Sequence, residues 1–292
     1  MAIDAVCPPD VLASLGDLEL VARIVVEGLV SGLHRSPFHG YSAEFSQYRR
    51  YRQGDDLKYV DWKLLARTDR VYTKQFRETT NMAASIVVDT SASMDFAAAG
   101  ATTTKFRYAV IVAAALADLV SGQGDAVGLV TSDVFLPPRA GRQQLRRLLA
   151  SLGSLSPRGA WSGADVVRRA ADRSSRHGLL IAVSDFYDDE ERVTAELRRA
   201  QRMGHEVALF QVLTRDEIEL PYDRDLEFAD LESGARIAVN AAQARRDYRD
   251  AVADFLERMR SRSLAEGFQY TLIVTDTAPA HALRSFLLSR QR

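Results

Sequence analysis

Ser85-Ile86-Val87-Val88-Asp89-Thr90-Ser91-Ala92-Ser93-Met94 is the stretch on which the fold turns. Ser85 to Val88 is short and apolar without alternation, which predicts a strand covered on both faces. It ends abruptly in a carboxylate and three hydroxyls. Four more runs of the same kind follow: Ala126 to Val130, Leu179 to Val183, Val207 to Leu213 and Tyr270 to Val274. Between them lie segments of helical period. Phe106 to Val120 is apolar nearly all round, as a buried helix is, while Val166 to Ala171, Val193 to Met203 and Tyr248 to Met259 carry narrower stripes. A terminal helix is expected over Ala280 to Leu288. Alternating buried strands and helices predict an α/β domain with a largely parallel sheet.

One segment breaks this rhythm. Leu226-Glu227-Phe228 and Ile237-Ala238-Val239 alternate around Ser233-Gly234, predicting a β-hairpin inserted at about 225–240. Upstream, Leu12 to Leu33 has apolar residues at three- and four-residue steps and reads as one helix. A charged and aromatic segment, Phe45 to Arg77, follows it. The expected division is an N-terminal extension over 1–81, packed on a main domain over 82–292.

In open α/β sheets ligands bind outside the carboxyl ends of the strands. Asp89-Thr90-Ser91-Ala92-Ser93 follows the first strand, Thr131-Ser132-Asp133 the second, Ser184-Asp185 the third and Thr275-Asp276 the last. Hydroxyls and carboxylates therefore gather at one rim, with no lysine or histidine in these positions. Asp, Ser and Thr after a strand also cap helices and close turns, and that role is expected of Asp133 and Asp276. The Asp-x-Ser-x-Ser spacing is more specific. In a tight loop it turns one carboxylate and two hydroxyls toward a common point. Such hard oxygen donors suit Mg2+ or another divalent cation such as Ca2+ or Mn2+, rather than zinc or copper. An ion left partly uncompensated there would accept an acidic group from a partner as a further ligand.

Bulk properties narrow the setting. A formal net charge of −1 gives no whole-protein attraction to nucleic acid or anionic membrane. The single cysteine, Cys7, excludes an intramolecular disulfide and a cysteine-based zinc site. Acidic Asp4, Asp10, Asp17 and Glu19 and the lack of a basic start do not read as a secretory signal. No apolar stretch approaches the roughly 20 residues that span a bilayer. A cytoplasmic protein without membrane insertion is the expectation.

Ile86 to Met94 resembles the metal-ion-dependent adhesion site that opens von Willebrand factor A domains. Tyr48-Arg49-Arg50-Tyr51-Arg52-Gln53-Gly54-Asp55-Asp56, Val60-Asp61-Trp62-Lys63, Ala66-Arg67 and Phe76 resemble the bacterial family called domain of unknown function number 58. The hairpin and the tyrosine-bearing helix after it also look like that family. The resemblance implies a three-layer α/β/α, von Willebrand factor A-like fold. It implies that Ser91 and Ser93 ligate the ion directly and that Asp89 and Asp185 act directly or through water. The threonine of the family's Gly-Gly-Thr-like loop is missing from Arg158-Gly159-Ala160-Trp161-Ser162-Gly163, where Ser162 is the available hydroxyl. Thr90, Met94 and Trp161 flank these positions and are the expected partner-binding residues. Relatives associate with MoxR-type AAA+ ATPases, so the implied role is a non-enzymatic adaptor in chaperone-like complex assembly.

Two other functions compete. A Mg2+-dependent phosphatase or phosphotransferase would use Asp89 as nucleophile. The second carboxylate such enzymes place two positions later is Ser91 here. Nucleic-acid binding would use the basic and aromatic residues of 49–77. Asp55, Asp56, Asp61, Asp69 and Glu78 are interleaved there, which favours internal pairing, with Gly54-Asp55-Asp56 as a turn and Trp62 as a packing anchor. The five histidines show no zinc spacing.

Overall fold

The computed structural model describes residues 7–30, 42–52, 60–68, 70–79, 82–174, 177–187, 190–232 and 234–289. The chain divides into two compact units, Met1–Pro37 with Met82–Arg292, and Phe38–Asn81. Residues 1–81 are thus split, the first part belonging with the main unit.

In the smaller unit, β1 (Ser42–Arg50) and β2 (Tyr72–Thr79) pair antiparallel around the short helix α3 (Trp62–Thr68). Asp61 starts α3, its Oδ1 accepting from the Leu64 N–H at 3.0 Å and its Oδ2 from the Tyr48 hydroxyl at 2.9 Å. Trp62 is 60% exposed and is not the packing anchor expected of it. As the first residue of α3 it stands outside the turn that Asp61 closes. Gly54-Asp55-Asp56 lies outside the described residues.

The larger unit begins with α1 (Pro9–Ser14) and α2 (Leu18–Val30). The helix expected over Leu12 to Leu33 is broken at Leu15-Gly16-Asp17, and its end lies outside the described residues. Asp17 restarts it, its Oδ1 accepting from the N–H groups of Glu19 and Leu20, as an N-cap side chain does.

The central sheet contains β3 (Ala83–Val88), β4 (Ala126–Val130), β5 (Phe135–Arg139), β6 (Leu179–Ser184), β7 (Glu206–Leu213) and β10 (Gln269–Val274). Its order is β10-β7-β6-β3-β4-β5, parallel throughout except for the antiparallel edge strand β5. Helices α4 (Lys105–Gly122), α5 (Arg142–Ser154) and α10 (Pro279–Ser289) cover one face, with α2 lying on them. Helices α6 (Gly163–Arg173), α7 (Glu190–Arg202) and α9 (Ala241–Ala265) cover the other. The three-layer α/β fold is the one expected. Alternate strand residues feed opposite faces, so that Val87, Leu180, Ala182 and Leu209 join α6 and α7 in one core.

The inserted hairpin is present as β8 (Asp225–Ala229) and β9 (Arg236–Asn240), with Leu226 opposite Val239 and Phe228 opposite Ile237. A short helix, α8 (Arg215–Glu219), precedes it. The topology places one feature above all. From β3 the chain proceeds to β4 on one side, and from β5 it returns to β6 on the other. The strand order reverses between β3 and β6, and their carboxyl ends open a crevice there.

Candidate functional site

Asp89 follows β3 and Asp185 follows β6, so the crevice is flanked by two carboxylates far apart in the chain. Asp89 is 1% exposed. Its Oδ1 accepts from the Ser91 N–H at 2.8 Å and its Oδ2 from the Ser184 hydroxyl at 2.5 Å. Burial, then the neighbouring Asp185 charge, push its carboxyl up to about 7. With both oxygens engaged and almost no exposed surface, Asp89 is poorly placed as a nucleophile toward a phosphate ester.

The two hydroxyls of the motif lie side by side. Ser91 Oγ is 2.8 Å from Ser93 Oγ, and Ser93 donates to Asp185 Oδ2 at 3.0 Å. A hydroxyl has one proton, so Ser91 is the donor of the first bond and a directed chain runs Ser91 to Ser93 to Asp185. Asp185 Oδ1 accepts from the Tyr187 N–H, and its main-chain carbonyl accepts from Gln211 Nε2 on β7. Phe186 between them has φ 57°, a left-handed step that sends its ring into the core and leaves Tyr187 on a cavity wall. The motif residues Asp89, Ser91, Ser93 and Asp185 thus form one connected cluster.

A lysine completes it. Lys105, the first residue of α4, is 1% exposed and donates to Asp185 Oδ2 at 2.7 Å and to Glu217 Oε1 at 2.6 Å. The Tyr187 ring lies 5.2 Å from its ammonium. Burial alone would lower the Lys105 pKa, but the Asp185 and Glu217 charges outweigh it and the net shift is upward. Glu217 is held by its own capping box, with Oε2 accepting from the Thr214 N–H and hydroxyl. Tyr248 on α9 donates to the Glu217 carbonyl. The expectation of a rim without lysine is corrected here. Lys105 comes from a helix start and not from a strand end. The sequence signal was present: a cation in a helix's first turn opposes the helix dipole and asks for a reason.

The remaining expected residues fall elsewhere. The loop over 158–162 does run beside the motif, since Arg158 N–H donates to the Thr90 carbonyl and Ala92 N–H to that of Gly159. Ser162, however, is exposed and gives its hydroxyl proton to Asp165. It stands at the N-cap position of α6 without a capping hydrogen bond. Met94 is 0% and Trp161 6% exposed, and Thr90 is buried. These three are corrected from partner-facing to interior residues. Trp161 packs in the core under α6, and large apolar side chains at the sheet's edge are more stable there than in water. Asp133 and Asp276 serve in surface ion pairs with Arg158 and Arg215, and not as caps.

The cluster presents oxygen donors of the kind a divalent ion takes. Magnesium–oxygen distances of about 2.05 Å place adjacent ligand oxygens about 2.9 Å apart in an octahedron. The Ser91–Ser93 and Ser93–Asp185 spacings of 2.8 and 3.0 Å are those of the hydrogen bonds joining these groups, and they are compatible with that edge. Asp185 and the half-buried Glu217 face one ammonium, and the buried Asp89 lies in the same cluster, so the carboxylates outnumber the cation. By chemistry these donors are hard oxygens of the kind a divalent cation takes, although Lys105 shares one of them. Among the described residues no three His, Cys, Asp or Glu side chains cluster as a conventional metal centre.

A cavity of about 440 Å³ opens from this cluster, with Ser93, Lys105 and Glu217 at one end. Phe228, Leu231 and Ile237 of the hairpin form its far wall, and Leu231 and Ile237 are exposed.

Fold and site together define a doubly wound α/β protein with an oxygen-rich cluster at its topological switch point. The chain belongs to the family described as "Protein of unknown function DUF58", which matches residues 47–258. It is 31% identical over 233 residues to the uncharacterized protein Rv1480 of Mycobacterium tuberculosis, covering 77% of this chain and 72% of that protein. The uncharacterized protein Mb1516 of Mycobacterium bovis matches equally. Among solved structures, BatB from Bacteroides thetaiotaomicron superposes with a TM-score of 0.49 at 14% identity, covering 72% of this chain and 98% of that one. A von Willebrand factor type A structure from Catenulispora acidiphila gives 0.37 at 12% identity, over 75% and 43%. An aerotolerance-related membrane protein from Bacteroides fragilis gives 0.48 at 16%, over 71% and 99%. Among the described residues of this chain, no helix is long and apolar enough to cross a membrane.

Proposed function

We propose that this protein is a non-enzymatic binding or adaptor protein that engages a protein partner at the carboxyl edge of its sheet. The observation that carries the reading is the convergence of Asp89, Ser91, Ser93 and Asp185 at the switch point, beside an open, largely apolar cavity. Ser91, Ser93 and Asp185 would hold a divalent ion such as Mg2+, with Asp89 orienting the loop through the Ser91 N–H. The ion would supply an electrophilic position for an acidic side chain of the partner. The cavity would receive the apolar residues beside that side chain. A MoxR-type AAA+ ATPase is the partner class the family resemblance implies, in complex assembly in the cytoplasm.

The test is binding of a purified MoxR-type ATPase, measured by biolayer interferometry in Mg2+ and in EDTA. Binding is expected in Mg2+, at least about tenfold weaker in EDTA and equally weakened by Asp89→Ala or Ser93→Ala. A partner that binds Asp89→Ala with unchanged affinity would sink the mechanism.

A further inference from the structure

Lys105 is an odd occupant for this cluster. A lysine in the first turn of a helix meets the positive end of the helix dipole, and an ammonium at 1% exposure has lost its hydration. Both penalties are offset chiefly by the two carboxylates it bridges. One of these, Asp185 Oδ2, is the same atom that accepts from Ser93. An ion ligated by Ser93 and this oxygen would sit within a few ångströms of the ammonium, and the two positive charges would repel in a poorly screened site.

We propose that Lys105 is a tethered cation that competes with the divalent ion for Asp185, so that the two occupy Asp185 alternately. This rests on the metal-binding reading above and says what limits it. Lys105 has somewhere to go. Glu217 Oε1 holds it at 2.6 Å, the Tyr187 ring flanks it, and the cavity that both line leaves room for the chain end to swing. Ion loading therefore moves the ammonium off Asp185 and leaves it on Glu217. Glu217 in turn is fixed by Thr214 at the start of α8, whose other neighbours form the cavity wall. The state of the ion and the shape of the partner cavity are thereby linked through one side chain. Lys105 is a positioning residue here, setting ion affinity without ligating the ion.

The experiment is Mn2+ titration of the full chain by isothermal calorimetry, repeated with Lys105→Met, Glu217→Gln and Ser93→Ala. Wild type is expected to bind weakly. Lys105→Met should bind about tenfold tighter or more, because the competing charge is gone. Glu217→Gln should bind more weakly than wild type, because the ammonium then has only Asp185. Ser93→Ala should abolish binding. Equal Mn2+ affinity in wild type and Lys105→Met, with Ser93→Ala inactive, overturns the competition and leaves the metal site standing. Absence of binding in both wild type and Lys105→Met overturns both. Should Lys105→Met not fold, Glu217→Gln decides alone: unchanged or tighter binding refutes the competition.

Discussion

Asp89 shows how one side chain can trade stability for a site. Its carboxyl is raised from the ordinary value of about 3.9 to about 7, by burial first and Asp185 second. For a group with a raised folded pKa, the contribution to stability is fully present below the unfolded value and is lost as pH rises through the folded one. Asp89 therefore weakens the fold between about pH 4 and 7 and stays a liability above it. Asn has no proton to lose and keeps an oxygen for the Ser91 N–H. Asp89→Asn is expected to exceed wild type in urea-unfolding stability at pH 8 in EDTA, with the gap shrinking toward pH 5. A variant less stable than wild type at pH 8 would show that the Ser184 and Ser91 bonds outweigh burial. The motif itself was legible in the chain, because Asp-x-Ser-x-Ser sits at a recognisable strand end. Lys105 showed only as a cation in a helix's first turn; its role was not legible, because its partners Asp185 and Glu217 lie 80 and 112 positions away.

At the scale of elements, the parallel strands were readable because burial on both faces removes alternation. Strand β5 was not, and its residues explain why. Phe135-Leu136-Pro137-Pro138-Arg139 carries two prolines, which have no N–H and argue against a central strand. An edge strand bonds on one side only, so β5 tolerates them. The close approach of β5 is set by Gly128 on β4, where a Cβ would come within 2.6 Å of the Leu136 carbonyl and 2.7 Å of Pro138 N. Gly128→Val is expected to cost about 2 kcal/mol and to raise amide exchange along β4 and β5 specifically. Undisturbed exchange there would mean that β5 holds its place by other contacts. Helix α2 was half readable. Its apolar steps predicted a helix, but the break at Gly16-Asp17 needed the Asp17 cap to be seen.

At the scale of the whole molecule, the larger unit is assembled from both ends of the chain. Helix α2 lies on α4, and α10 lies against both. Leu283, Phe286 and Leu287 of α10 are buried, with the Phe286 ring 4.9 Å from that of Phe210 on β7. Exposing three such side chains forfeits roughly 1.5–3 kcal/mol each, which rivals the total stability of a typical domain. A chain ending at Ala278 is expected to lose near-ultraviolet circular dichroism and to bind the dye ANS. A truncated protein that keeps a sharp thermal transition at the wild-type temperature would refute this.

The amino-acid sequence by itself determined the buried parallel strands and most of the helices between them, where the hairpin is inserted and which loop carries the oxygen donors. Local periodicity and turn chemistry act over a few residues and are written in order along the chain. The tertiary structure alone decided that Asp89 is buried with both oxygens engaged, that Ser162 turns away and that Lys105 stands against Asp185. Charge means little until burial selects its partners, and those partners came together only when the strand order reversed between β3 and β6.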